Sequence, residues 1–418
     1  MIRLIEAKNY RCLRYVKQRL ENFHVLVGPN GSGKTTFLDT VAFLGALVSS
    51  DIEWAIKERT FDPHDLIWHK SDESFQLAIE LSIPDERIKL LDKKNFNTVR
   101  YEIEVGIDKE FPGAKLLAEK VLLKEVDDTR TTHYNRSLFP SDPSLIPQTL
   151  ITAKGIKNTK TIVNKVDAGN DNFYDETGKG WDHSFKLGPR KSALSNLPED
   201  ESKFPVSTWL KGVLKNGVQK LVLNSALMQK PSPPSPAKGF KPDGSNLPWV
   251  IKDFRAKDPN KFKEWIKHLK TALWDLEDIR VIEREEDRHC YLKVCYQNNL
   301  EVPSWMVSDG TLRLLALTLP AYLPEFQGIY LIEEPENGIH PKAIETMYQS
   351  LSCVYGAQIL MATHSPVILS VADVSEILCF SKTPAGATDI VLGKEHPSLR
   401  DWKGEPNLSL YFAGGVLG

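Results

Sequence analysis

The stretch Gly28-Pro29-Asn30-Gly31-Ser32-Gly33-Lys34-Thr35-Thr36 combines the residue types that hold a polyphosphate. Its glycines let the backbone curl so that successive N–H groups face one anion, and a helix starting at its end adds the positive pole of its dipole. Lys34 has the reach for β- and γ-phosphates, and the Thr35 hydroxyl suits Mg²⁺. Asn30, Gly31, Ser32, Gly33 and Thr36 supply the remaining contacts expected of such a loop. A glycine-rich turn that binds nothing is the alternative. The flanks argue against it: an apolar run, Phe23 to Val27, precedes the loop, and a helix-like segment, Phe37 to Leu47, follows it.

A second set of candidates lies far along the chain. Ile329-Tyr330-Leu331-Ile332 is an apolar strand that runs into Glu333-Glu334-Pro335-Glu336. Carboxylates at a strand end next to a phosphate loop suit Mg²⁺ support by Glu333 and activation of a water by Glu334. An acidic strand end is common by itself, and the phosphate loop is what gives this one weight. Ala362-Thr363-His364-Ser365-Pro366 follows the next strand, Gln358 to Met361, where an imidazole can report on a γ-phosphate. Val307-Ser308-Asp309-Gly310 precedes an apolar helix, so Ser308 and the neighbouring N–H groups form either a simple cap or a second anion site. Tyr10-Arg11, one strand before the loop, reads two ways: an aromatic–arginine pair for a base and a phosphate, or a surface arginine on a turn.

The elements that must carry these residues follow from hydrophobic spacing. Residues 1–85 read β, loop, α, loop, β, with alternating strands at Phe75 to Ile83 and Tyr101 to Ile107 and a further one at Val121 to Val126. Asp127 to Pro205 is polar and poor in apolar residues, which predicts an excursion from the main sheet, partly mobile. Gln229 to Asn246, with Pro231, Pro233, Pro234, Pro236 and Pro242, predicts an irregular connector. Leu247 to Phe254, Phe262 to Leu276 and Leu312 to Leu319 have helical spacing, and Ile279 to Glu283 with Cys290 to Gln297 resembles a hairpin. The order predicts a nucleotide-binding α/β sheet built from both chain ends. No sustained heptads occur between the phosphate loop and Ser308, so long coiled-coil arms are not expected.

Composition sets outer bounds. The 418 residues are 41% hydrophobic and 26% charged with a formal net charge of −2, which suits a globular chain of two or three domains and excludes a general polycation. Cys12, Cys290, Cys295, Cys353 and Cys379 contain no C-x-x-C pair, as expected of a chain in a reducing cytoplasm. His289, Cys290 and Cys295 sit in an alternating strand and read as strand residues rather than zinc ligands. No leader is visible before the first strand, and no run of eighteen apolar residues predicts a membrane span.

Taken as a set, these motifs resemble the ABC-type ATPase heads of the OLD, RecF and SMC group. Gly28 to Thr36 matches their Walker A, Ser308-Asp309-Gly310 their signature, Glu333-Glu334 their Walker B, His364 their switch histidine and Tyr10-Arg11 their N-terminal aromatic–arginine pair. Asp243-Gly244-Ser245-Asn246-Leu247, Glu334 to Pro341 and Thr363-His364-Ser365-Pro366 look most like the short AAA-type ATPases of the OLD class. The resemblance covers roughly residues 1–110 and 240–385. It implies an ABC-type head of a mixed sheet flanked by helices, with a helical signature lobe and a large middle insertion. The implied segments are 1–126 (first half of the head), 127–240 (insertion and connector), 241–320 (helical lobe) and 321–418 (second half).

The resemblance further implies that two heads pack head to tail, so that Ser308 and Gly310 act on the ATP held by a second copy. It implies ATP and Mg²⁺ as ligands and a homodimer or higher even oligomer. Glu333 stands where transporters usually have Asp, and S-D-G-T replaces S-G-G-Q, so a transporter cassette is disfavoured. Gln76 lies in about the region of a Q-loop glutamine. Val367 to Gly418 is too short for a TOPRIM nuclease domain, so a nuclease-like effector would be a separate polypeptide. Duplex DNA is a candidate partner through basic stretches such as Lys154 to Lys165 and Lys186 to Lys191. Two functions stay open: an ATP-hydrolysing switch of a DNA-repair or anti-phage complex, and an ATP-gated module that controls an effector with little turnover.

Overall fold

The computed structural model describes residues 1–418 apart from 71, 108–112, 127–135, 179–181, 235–238, 325, 401–407, 416 and 418. The strands in its first half are β1 (Ile2–Tyr10), β2 (Leu13–Arg19), β3 (Phe23–Val27), β4 (Ser74–Ser82), β5 (Thr98–Ile107), β6 (Ala114–Lys124), β7 (Thr159–Val166), β8 (Asp171–Phe173) and β9 (His183–Phe185). The second half adds β10 (Val218–Leu221), β11 (Leu276–Glu283), β12 (Cys290–Tyr296), β13 (Leu300–Pro303), β14 (Gly328–Glu333), β15 (Ala357–Ala362), β16 (Ile377–Lys382) and β17 (Thr388–Leu392). The chain divides into two compact units. One holds 1–218, 374–406 and 415–418, and the other holds 219–373 and 407–414.

The first unit contains an eight-stranded sheet in the order β2-β1-β4-β5-β6-β7-β8-β9. Every neighbouring pair in it is antiparallel. The same unit pairs β3 parallel to β16, and β16 antiparallel to β17. The helix Lys34–Ser49 lies between these two layers. Phe43 meets Tyr10 and Phe75 of the large sheet at 5.9 and 5.5 Å, and Phe37 meets Phe380 of β16 at 5.5 Å. Each of these rings is fully buried, worth about 2–3 kcal/mol apiece. The packing holds the helix, and with it the loop that opens onto it, against β3 and β16.

The middle of the chain departs from the sequence expectation. Residues 159–185 do not leave the sheet but extend it by three strands. The anchors are polar, which is why counting apolar residues misses them. Buried Glu119 accepts bonds from Ser192 Oγ, the Ala193 and Leu194 N–H groups and Tyr101 O–H at 2.6–3.1 Å. Buried Glu176 accepts from the Val206 and Ser207 N–H groups at 2.6 and 2.8 Å. Residues 148–152 lie across the sheet face as a strap. Gln76 Oε1 takes the Leu150 N–H at 2.6 Å, Glu102 takes the Thr152 N–H at 2.7 Å, and Arg100 donates to Leu150 O. Gln76 is thus committed to the strap and is not presented as a Q-loop glutamine. Residues 127–135 lie outside the described residues.

The second unit pairs β14 parallel to β15 and builds a separate antiparallel sheet, β11-β12-β13. The buried runs IYLI and AQILMA are what a doubly covered parallel strand requires. Helices Leu247–Lys257 and Pro259–Leu269 pack through Phe254, Phe262 and Trp265. The indole N–H of Trp265 donates to Thr318 Oγ1 at 3.0 Å, tying this pair to the helix Asp309–Thr318. The connector Gln229–Asn246 is irregular, as its prolines predict, but it is fastened: Ser232 exchanges two backbone bonds with Cys290, and buried Asn246 holds Lys241 N–H and Gly239 O. Pro236 lies outside the described residues. The longest described helix has 16 residues, so no coiled-coil arm occurs among the described residues. None of the helices described is long and apolar enough to cross a membrane.

Candidate functional site: a phosphate loop and an acidic strand end

In the first unit the phosphate loop follows β3 and ends at Gly33, whose φ of 104° is left-handed and which starts the helix Lys34–Ser49 without any side-chain cap. A helix start that no side chain serves is a seat for an anion. Three neighbours mould the loop. A Cβ on Gly28 would fall 2.1 Å from Phe380 O, and one on Gly33 would fall 2.2 Å from Thr388 Oγ1. Thr388 Oγ1 itself donates to Ser32 O at 2.9 Å. Glycine is therefore dictated at both positions by backbone angle and by space together.

Lys34 is buried and its ammonium donates to Gly28 O at 2.7 Å and Pro29 O at 3.0 Å. Ser32 Oγ is buried with no hydrogen-bond partner among the described residues. An orphaned hydroxyl, an uncapped helix start and a buried lysine on one loop fit a polyphosphate. Asn30, Gly31 and Thr35 are exposed on the loop and Thr36 is half-buried.

Tyr10-Arg11 resolves into two different roles. The Tyr10 ring is fully buried against Phe43 and Phe75, and its hydroxyl donates to Asp39 at 2.6 Å, so it has no face for a base. Burial, then the Asp39 charge, push its phenol well above the usual range. Arg11, in a left-handed turn with φ 50°, keeps its guanidinium part-exposed and 3.4 Å from Asp39. Arg59 clasps the other Asp39 oxygen at 2.8 Å. The pair thus serves the core through Tyr10 and leaves Arg11 alone available to a phosphate.

In the second unit β14 delivers Glu333, whose carboxylate pairs with Lys220 at 2.6 Å. Glu334 stands in the left-handed region at φ 46°, unusual for a side chain of this size. Its N–H continues the pairing to Ala362 O at 2.8 Å, and its exposed carboxylate accepts from Asn337 Nδ2 at 2.6 Å. This geometry turns the Glu334 side chain out of the strand while the backbone stays in register.

Nothing in the residue spacing singles out Glu336, yet it organises the histidine loop. Its Oε1 accepts from Thr363 Oγ1 at 2.5 Å and from His364 N–H at 3.1 Å, while Oε2 is buried with no partner among the described residues. The proline before it and the asparagine after it gave no chemical signal. Only the three-dimensional loop reveals it. The His364 ring lies 6.3 Å from the Phe412 ring.

Ser308 caps its helix, accepting from Thr311 N–H at 3.2 Å, and its side chain is exposed. Gly310 packs closely: a Cβ there would sit 2.3 Å from Gly338 O. The signature turn and the loop after the acidic strand are therefore pressed together within this unit. Gln229 Nε2 adds bonds to Val307 O and Asp309 Oδ1, both at 3.2 Å. No cluster of three or more metal-ligating side chains occurs among the described residues, and His289, Cys290 and Cys295 form none.

Comparison with known proteins agrees with this layout. The family model described as "AAA domain, putative AbiEii toxin, Type IV TA system" matches residues 23–370. A crystal structure of an Smc head bound to the C-terminal winged-helix domain of ScpA aligns with a TM-score of 0.54 at 13% identity, covering 93% of this chain and 97% of that one. The Pyrococcus furiosus Smc head with an extended coiled coil, bound to the C-terminal domain of ScpA, aligns at a TM-score of 0.49 and 12% identity, covering 93% and 95%. The Thermotoga maritima SMC head aligns at 0.42 and 11%, covering 94% and 98%. No curated protein matches. The first of the structures shows a shared fold, and the family match spans the phosphate loop, the acidic strand end and the histidine loop. The chain belongs to this AAA-domain family and is a nucleotide-binding P-loop ATPase with an ABC-type, SMC-head-like fold.

Proposed function

We propose that this chain is a Mg²⁺-dependent ATPase that works as a head-to-tail dimer and serves as the switch of a DNA-repair or anti-phage defence complex. The observation that carries the nucleotide part is the phosphate loop itself, with the Ser32 hydroxyl left unsatisfied inside it and the helix behind it uncapped. In this reading Asn30, Gly31, Ser32, Gly33, Lys34 and Thr36 hold the phosphates, and Arg11 adds a cation from the neighbouring turn. Thr35 and Glu333 would hold Mg²⁺, which when bound offsets the charge that develops on the phosphate oxygens. Glu334 takes the proton of the attacking water, its carboxylate oriented by Asn337. His364, held by Glu336 through its backbone N–H, contacts the γ-phosphate. Ser308 and Gly310 act on the nucleotide of a second copy, which a two-fold dimer would make reciprocal.

The test is ATP hydrolysis by purified protein with and without duplex DNA. Glu334→Gln should lower turnover by about a hundredfold or more while ATP binding persists, because a positioned base is worth that much. Lys34→Ala should remove both. A Glu334→Gln protein that turns over at the wild-type rate overturns the assignment. Stimulation by duplex DNA supports the nucleic-acid arm, and absence of salt-dependent binding at low salt removes it.

A second reading, an ATP-gated module with slow turnover that controls a separate effector, is favoured by one observation. Lys220 already neutralises Glu333, the residue proposed for the metal. The family description names a toxin of a two-component system, and one similar Smc head is bound to a partner domain, so a protein partner suits either reading. If the pair is a brake, Lys220→Ala raises the basal rate severalfold. An unchanged rate removes this support.

A further inference from the structure

We infer that Lys382 is a second phosphate-binding lysine of this site, one that holds phosphate groups common to ATP and ADP; the inference rests on the phosphate-loop reading above. Lys382 ends β16, the strand parallel to β3, and alternation puts it on the same side of the strand as Phe380. Both touch the phosphate loop. Phe380 O abuts Gly28, and a Cβ built on Gly31 would lie 3.4 Å from Lys382 Nζ and 3.9 Å from its Cε. The partner of Lys382 across the hairpin is Thr388, whose hydroxyl is fastened to Ser32 O. The β16–β17 hairpin therefore grips the loop along its length, and Lys382 is the charge it brings there.

The ammonium has no ion-pair or hydrogen-bond partner among the described residues. An exposed lysine without a partner gains most by extending into water. This one instead lies over a loop that already contains the Lys34 ammonium, and two like charges on one loop repel. A bound polyphosphate reverses the sign of that interaction and supplies the missing acceptors, and a flexible four-carbon stem lets the ammonium follow them. His364, proposed to contact the γ-phosphate, follows β15, and Glu334, the proposed base, follows β14. Lys382 instead lies against the loop whose backbone serves the phosphates that remain in ADP. It thus contributes affinity to substrate and product alike.

The experiment is equilibrium binding of fluorescently labelled ATP and ADP to the full chain at low and moderate salt. Lys382→Gln should weaken both nucleotides by the same factor, about tenfold, the size expected for one charge-assisted bond to phosphate, and should flatten the salt dependence. Lys382→Arg should retain most of the affinity. Because Lys382 is exposed, both variants should unfold at the wild-type temperature. Lys382→Gln binding ATP and ADP within about twofold of wild type overturns the inference, and so does a loss confined to ATP. Lys34→Ala separates the two layers. If it abolishes binding and Lys382→Gln does not weaken it, the phosphate-loop reading stands and this inference fails. If the wild-type chain binds neither nucleotide, both fall.

Discussion

At the residue scale, single atoms decide which motif positions are chemical and which are structural. Gly310 is expected to belong to the signature, yet a Cβ there would meet the backbone oxygen of Gly338 at 2.3 Å. Gly310→Ala should therefore destabilise the free protein by about 1–3 kcal/mol in urea denaturation, with no nucleotide present. A purely intermolecular role would leave the unfolding curve of the monomer unmoved. His24, buried in β3, accepts the Glu21 N–H at Nε2 and faces Glu376 O with Nδ1 at 3.0 Å. Burial outweighs that carbonyl and pushes its pKa down to about 4 from the usual 6.5. The folded state thus resists protonation. Its contribution is present in full above pH 6.5 and is lost as the pH falls toward 4, amounting to about 3 kcal/mol. Subtracting the stability of His24→Gln from that of wild type across this range should expose the slope, and a pH-independent difference would refute it.

At the element scale, the eight-stranded sheet is held to the strap 148–152 by buried charged and polar side chains together with buried Leu150. Arg100 is surrounded by Glu6, Glu80 and Glu102, all buried, and donates to Leu150 O as well. Burial works against its charge, but Glu102 and then Glu6 raise its pKa. Removing one member leaves the others uncompensated, so Arg100→Ala should cost about 3–5 kcal/mol, more than a surface arginine could. The same variant should make the strap the first site of cleavage in limited proteolysis. Wild-type resistance there would mean that the remaining side-chain bonds suffice.

At the scale of the whole molecule, the proposed dimer makes a concentration-dependent prediction. Glu334→Gln with ATP should shift the chain from one copy to two in light scattering, because closure contacts accumulate when turnover is blocked. Ser308→Arg should cancel that shift without lowering affinity for ATP in the single copy. Dimerisation that persists in Ser308→Arg would remove the signature from the interface.

The phosphate loop, the apolar strand ending in Glu333-Glu334 and the helix behind Lys34 were legible from residue order, because short-range backbone geometry imposes glycine spacing and a buried parallel strand imposes an unbroken apolar run. The order of these elements along the chain pointed to a nucleotide-binding α/β sheet, and the resemblance of the motifs as a set to a known family pointed to an ABC-type head. Three things needed the tertiary structure. Residues 148–152 and 192–194 were fastened to the sheet because Glu102, Arg100 and Glu119 satisfy backbone groups far away in sequence. Tyr10 became core because Phe43 and Phe75 close over it. Glu336 and Lys382 gained roles because the chain carries them beside Thr363 and Gly31. Local motifs are written by interactions within a few residues. The partners of a buried charge, or of a lone ammonium, are chosen by long-range contacts that no spacing rule encodes.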